Sequence, residues 1–128
     1  MIYLDSSVAL AHLLAEDRSP PESIWKETLV ASRLLEYEVW NRIHARRLVP
    51  SHGEAVRELI GRLALIEFVP PVLARVLEPF PVPVRTLDAV HLASIEFLRA
   101  HGRTVELASF DERQLAAPRA LHIPIFGP

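Results

Sequence analysis

The spacing of apolar positions changes several times along the chain, and each change marks an element. MIYL is an unbroken apolar and aromatic run that reads as a buried strand from Met1 to Leu4. Asp5, Ser6 and Ser7 follow, with a serine capping a helix from about Val8 to Ala15. Glu16 to Ser19 is a loop, and Pro20 and Pro21 open a short helix through Trp25. Leu29 to Ala31 reads as the second strand and leads directly to Ser32, an N-cap for a helix from Arg33 to about Leu48. Pro50 ends that segment, and Ser51 opens a helix to about Leu63. Leu65 to Val69 is a third strand stopped by Pro70 and Pro71, Val72 to Leu77 is a short helix, and EPFPVPV is irregular because proline cannot continue either period.

RTLDAVHLASIEFL, Arg85 to Leu98, is the most informative stretch. Thr86 caps a helix on which Leu87, Val90, His91, Ser94, Phe97 and Leu98 share one face. The opposite stripe, Asp88, Leu92, Ile95 and Arg99, is half apolar, which marks the helix as internal. Gly102 suits the position just past its end. Val105 to Ser109 is the next strand, Glu112 to Ala117 a brief helix, and Leu121 to Ile125 a final edge strand weakened by Pro124. Alternating strands and helices predict an α/β fold with a central, mainly parallel sheet of four to five strands and helices on both faces.

The 128 residues fit a single domain, 1–128, and a composition half hydrophobic and 23% charged is that of a folded globular protein. No apolar run nears the ~20 residues a membrane span needs, and no basic leader precedes the first apolar run. A cytoplasmic protein with no membrane role is expected. Cysteine is absent, which excludes disulfides, thiolate metal ligands and a cysteine nucleophile. The net charge of −2 does not mark a nucleic-acid binder, although a mean charge hides local patches. Lys26 is the only lysine; the arginine bias suits phosphate contacts, but a skewed genome composition explains it better.

Four acids carry the candidate chemistry. Asp5 ends the first strand, where ligands of parallel sheets bind. Asp88 falls in the first turn of its helix, where free N–H groups favour an anion. Asp111 lies just past the strand ending at Ser109. Glu38 shares a mostly uncharged stripe with Leu34, Asn41 and Ala45, whereas Glu36, about 200° away on the wheel, lies nearer Arg33 and is solvated. Each acid also has an ordinary reading: an Asx turn at Asp5, a surface carboxylate at Glu38, a cap or an Arg85 ion pair at Asp88. If the four converge, their repulsion raises pKa values unless cations are present. Mg²⁺ or Mn²⁺, held by few carboxylates together with water and phosphate oxygens, suits such a site and phosphodiester hydrolysis.

MIYLDSS, SRLLEYE, RTLDAVHLAS and SFDER, in this order and spacing, resemble the PIN-domain family, and more narrowly the VapC-type toxin ribonucleases of type II toxin–antitoxin systems. The resemblance covers essentially the whole chain, and RTLDAVHLA is its most specific element. It implies a PIN-like three-layer fold and a Mg²⁺- or Mn²⁺-dependent endoribonuclease, with Asp5, Glu38, Asp88 and Asp111 as metal-binding catalytic acids. Ser109 matches a hydroxyl residue often found two positions before the last acid. A homodimer and a cognate small antitoxin are implied as well. Glu112 competes with Asp111 for the fourth position, Ser6 either orients water or caps a helix, and Arg85 either contacts RNA phosphate or neutralises the acids. His91 is read as a packing or hydrogen-bonding residue, and Trp25 and Trp40 as core or dimer packing rather than base stacking. The competing readings are a solitary RNA-processing nuclease, a catalytically silent RNA- or protein-binding module, and an aspartyl-phosphate enzyme. The last is disfavoured because Ser7 stands where a second acid is wanted and no lysine lies near a late strand.

Overall fold

The computed structural model describes residues 1–127. Its sheet is wholly parallel, with β1 (Ile2–Leu4), β2 (Leu29–Ser32), β3 (Ala64–Ile66) and β4 (Glu106–Ala108) in the order β3-β2-β1-β4. The helices are α1 (Ser6–Leu13), α2 (Arg33–Ala45), α3 (Val49–Gly61), α4 (Pro70–Val76), α5 (Thr86–Ala100) and α6 (Ala116–Ala120), with 3₁₀ turns at Glu22–Lys26 and Glu112–Gln114. This is the expected α/β architecture, with four strands. The segment read as a fifth strand contributes one parallel bridge, Ile125 to Leu107, because Pro124 can donate no ladder hydrogen bond.

Alternation along the strands divides the core in two. Ile2, Leu4, Leu29, Ala31 and Ala108 pack with α1, α2 and α3, where Val8, Leu35, Val39, Ile43 and Val56 are at most 1% exposed. Tyr3, Val30 and Leu107 face the other way and pack with Leu92 and Ile95 of α5 and Ala117 of α6. Both faces of the sheet are therefore covered, which explains why β1 and β2 read as continuous apolar runs.

Several boundaries differ from the sequence reading, each for a local reason. Asp5, not a serine, is the N-cap of α1, accepting from the Ser7 N–H, so the helix starts at Ser6. The helix begun at Ser32 ends at Ala45, and Arg47 turns the chain with φ +56°. Pro50 therefore belongs to the first turn of α3, where its missing N–H costs nothing. Pro70 and Pro71 likewise start α4 rather than merely stopping β3. Arg85, not Thr86, is the N-cap of α5, without a side-chain bond, while Gly102 has φ +80° as its position past the helix end requires. Both stripes of α5 contribute to the core, as an internal helix requires. His91 and Ser94 of one face and Leu92 and Ile95 of the opposite stripe are buried, while Leu87 is 51% exposed.

Candidate active site

Asp5 sits at the carboxyl end of β1, is 5% exposed and is held by three donors on one oxygen. Its Oδ2 accepts from Ser7 N–H (3.2 Å), Ser7 Oγ (2.5 Å) and Ser109 Oγ (3.1 Å). The Ser7 hydroxyl also receives the Phe110 N–H at 3.0 Å, and Ser109 Oγ receives the Asp111 N–H at 3.1 Å. The loops after β1 and β4 are thereby tied together around one carboxylate. The second oxygen, Oδ1, takes no protein hydrogen bond among these contacts. Ser109 thus makes the contact expected of a supporting hydroxyl, whereas Ser7, and not Ser6, is the serine that fixes Asp5.

Asp88 enters the same cavity from the first turn of α5, with Asp111 and Ser109 on its wall. No ion pair joins Asp88 to Arg85 among the described residues; Arg85 is exposed at the cavity rim. Burial raises the Asp88 carboxyl above the usual carboxylate range. The charge of Asp5 adds to that push, as do Asp111 and Glu38, and nearby His91 partly offsets it. Asp88 therefore feels the charge of the other three acids, which come from separate places in the chain; Asp5 and Asp111 line the cavity with it, and Glu38 does not.

Glu38 is held from the opposite direction. Its carboxylate lies 2.7 Å from Nε2 of His91, whose Nδ1 is 2.6 Å from the Tyr3 hydroxyl, and that hydroxyl receives the Ser32 N–H at 3.2 Å. A carboxylate only accepts, so Nε2 carries the hydrogen. Burial alone would lower the affinity of His91 for a second proton. The hydrogen bond to Glu38 and the charges of Glu38, Asp5 and Asp88 outweigh it, and the pKa is raised. Tyr3 is fully buried, and chiefly for that reason its phenol is pushed far up and stays un-ionised. His91 is a hydrogen-bonding residue as expected, but its partner is one of the candidate acids.

Glu36 pairs with Arg33 at 3.3 Å, as its place on the wheel implied. Asp111 caps the following 3₁₀ turn through Oδ1, and Glu112 is exposed within that turn. Ser6 lines a second cavity beside the acids and makes none of the side-chain hydrogen bonds around Asp5. Trp25 and Trp40 pack against the α1–α2–α3 core. Two participants escaped the sequence reading. Tyr3 could have been found, because alternation turns it away from Ile2 and Leu4 and a buried phenol needs a partner. Ser7 stands two residues after an aspartate at a helix start, the spacing of a local capping turn.

Whether these residues suit a divalent cation turns on the donor set. Among the described residues, no three acidic or histidine side chains are already gathered closely enough to hold an ion by themselves. Mg²⁺ and Mn²⁺ do not require that, since few carboxylates together with water and substrate phosphate complete their shell. Asp5 keeps one oxygen free while the other is locked, and Asp88 is a strained anion beside it. The donors are hard oxygens, and the excess negative charge is what such an ion relieves. The residues fit.

Comparison with known proteins identifies the family. The PIN domain profile matches residues 2–120, and the chain belongs to the PIN-domain family. It is 28% identical to Ribonuclease VapC35 of Mycobacterium tuberculosis over 134 residues, covering all of this chain and 97% of that protein. Ribonuclease VapC47 of the same species is 27% identical, with 93% of this chain and 90% of that protein covered. A chain in a toxin-antitoxin complex from Klebsiella pneumoniae superposes with a TM-score of 0.64 over 91% of both chains at 14% identity, a likeness of fold.

Proposed function

We propose that the chain is a Mg²⁺- or Mn²⁺-dependent endoribonuclease and the toxin half of a toxin–antitoxin pair. What carries the reading is the pair Asp5 and Asp88, which share one cavity while Asp111 and Glu38 add to its negative potential. Asp5, through its free oxygen, and Asp88 would hold the ion, with Asp111 and Glu38 adding negative charge. When bound, the ion supplies an activated water and neutralises charge on the leaving oxygen.

The remaining steps belong to side chains of this protein. Ser7 and Ser109 fix the Asp5 carboxylate so that only one oxygen faces the substrate. His91, backed by Tyr3, holds Glu38 in one orientation. Arg85 and Arg113 stand exposed at the rim, where they draw the RNA backbone toward an otherwise repellent acidic pocket.

The proposed partners rest on the same reading. The relatives are named ribonucleases and the structural neighbour comes from a toxin–antitoxin complex, so RNA and a small antitoxin are the proposed partners. Leu73 on α4 and Leu77 just past its end, 48% and 86% exposed, are apolar side chains that a second copy would cover in a homodimer. Among the described residues no helix is long and apolar enough to cross a membrane, and a cytoplasmic place is proposed from the RNA substrate. The test is cleavage of single-stranded RNA with Mn²⁺ by the purified protein, with Asp5→Asn and Asp88→Asn alongside. Both substitutions should abolish cutting. Full activity in either sinks the site, and an inactive wild type that still binds RNA would favour the silent binding module. An active protein purified without any small partner gene beside it would favour a solitary RNA-processing nuclease.

A further inference from the structure

The cavity that holds Asp5 and Asp88 has two chemically different ends. It encloses about 180 Å³. Asp5, Asp88, Asp111 and Ser109 line it where α5 begins and the strands β1 and β4 end, while Leu92 and Ile95 further along α5, Leu107 within β4 and Ala117, all largely buried, line it with Val82 and Val84, which are half-buried. Nothing in the proposed hydrolysis uses the aliphatic end. A second cavity of about 560 Å³ lies on the other side of the acids, and Asp5, Asp111 and Gln114 border both. There the Arg18 guanidinium lies 4.6 Å from the centre of the Phe110 ring, with Arg42 nearby.

We infer that the aliphatic end is a slot for one nucleobase next to the scissile phosphate, entered by single-stranded RNA. The inference rests on the ribonuclease reading above. A phosphodiester presented to the acids carries a nucleoside on each side, and the acids stand on a ridge between two cavities. The ribose is too polar to gain from a wall of valine, leucine and isoleucine, whereas the face of a base gains by leaving water. At about 30 Å³ per water, the whole cavity, acid end included, has room for roughly six waters. That suits one planar ring system and not a stacked pair, so duplex RNA is excluded unless a base is splayed out. Gln114, on the ridge, carries both donors and an acceptor with which to meet a base edge. The nucleoside on the other side leaves past the Arg18–Phe110 stack, whose guanidinium plane offers a further stacking surface.

The experiment uses a single-stranded RNA pool with a randomised internal segment, cut in Mn²⁺, with the new ends sequenced. Wild type should show a base preference at one position flanking the cut. An oligonucleotide abasic at that position should bind the metal-free protein roughly five- to hundredfold more weakly, as loss of a stacked base implies. Ala116→Phe, at an exposed position on the slot wall, should erase the preference. Val82→Ala, which removes volume without adding any, should shift it toward a larger base, and Gln114→Leu should weaken it. Asp88-dependent cutting whose preference survives all three substitutions overturns the slot and leaves the nuclease reading standing. The same pattern, with an apolar side chain of a protein partner filling the slot, overturns it equally. Absence of any Asp88-dependent cutting overturns both.

Discussion

The two faces of the sheet are built from different materials. The side of α1, α2 and α3 holds none of the buried polar residues Ser32, His91 and Ser94, which lie on the side of α5. On the side of α5 a polar thread runs through the core, from the Ser32 N–H to Tyr3, His91 and Glu38, with Ser94 Oγ bonded back to Val90. The first face needs only complementary shape. The second must satisfy every donor it buries, and in doing so it fixes the orientation of Glu38, whose charge acts on Asp88. Stability and positioning are thus assigned to opposite sides of β1, one residue apart: Ile2 and Leu4 look one way, Tyr3 the other.

Substitutions on the two faces should therefore fail differently. Asp88→Asn should have the largest effect, lowering RNA cleavage by more than the roughly 10–100-fold typical of a residue that only supports a metal ligand. His91→Gln should fall within that 10–100-fold range in Mn²⁺ affinity, because Glu38 stays but loses its fixed orientation. Leu35→Ala on the apolar face should cost about 2–5 kcal/mol in denaturant unfolding, with cleavage per folded molecule unchanged. Equal damage to Mn²⁺ binding from Leu35→Ala would erase the distinction between the faces. Tyr3→Phe should cost about 1–3 kcal/mol, since the Ser32 N–H and His91 Nδ1 lose their partner without water to replace it.

The smallest effect is one of pH, and its sign follows from the raised pKa values of Asp88 and His91. Each binds its proton more tightly when folded than when unfolded. The metal-free protein should be more stable on the acid side, His91 contributing fully below about 6.5 and losing that contribution as pH rises through its raised value. Asp88 behaves the same way, losing its favourable protonation as pH climbs above the carboxylate range. Asp88→Asn should then raise the metal-free melting temperature at neutral pH by a few degrees while removing the further rise that Mn²⁺ gives the wild type. A melting temperature that falls instead would mean Asp88 is a stabilising anion, not one left in tension for a ligand.

Much of the fold was legible because the parallel sheet leaves a strong trace: short apolar runs, each ending in a cap or an acid. Ser32, Gly102 and the strand-end position of Asp5 could be read directly. The orientation of α5 could not, since a helix apolar on both stripes does not say which one faces the sheet. Leu87 shares a face with the buried His91 and Ser94 and is exposed, while Leu92 and Ile95 on the opposite stripe are buried. Proline was ambiguous for a related reason. Pro50 and Pro70 stop one element and start the next, and only the tertiary path decides. Acids could be nominated from spacing, but their supports could not, because Ser7, Ser109 and Phe110 meet across a separation of about a hundred residues.

The most direct measurement is calorimetric titration of Mn²⁺ into the wild-type protein and into Asp5→Asn and Asp88→Asn, each checked for a folded spectrum. Saturable binding to the wild type that is lost or greatly weakened in both variants is the expected result. Binding of equal strength in all three, or none in the wild type, would contradict the claim that these carboxylates form one site for a divalent ion.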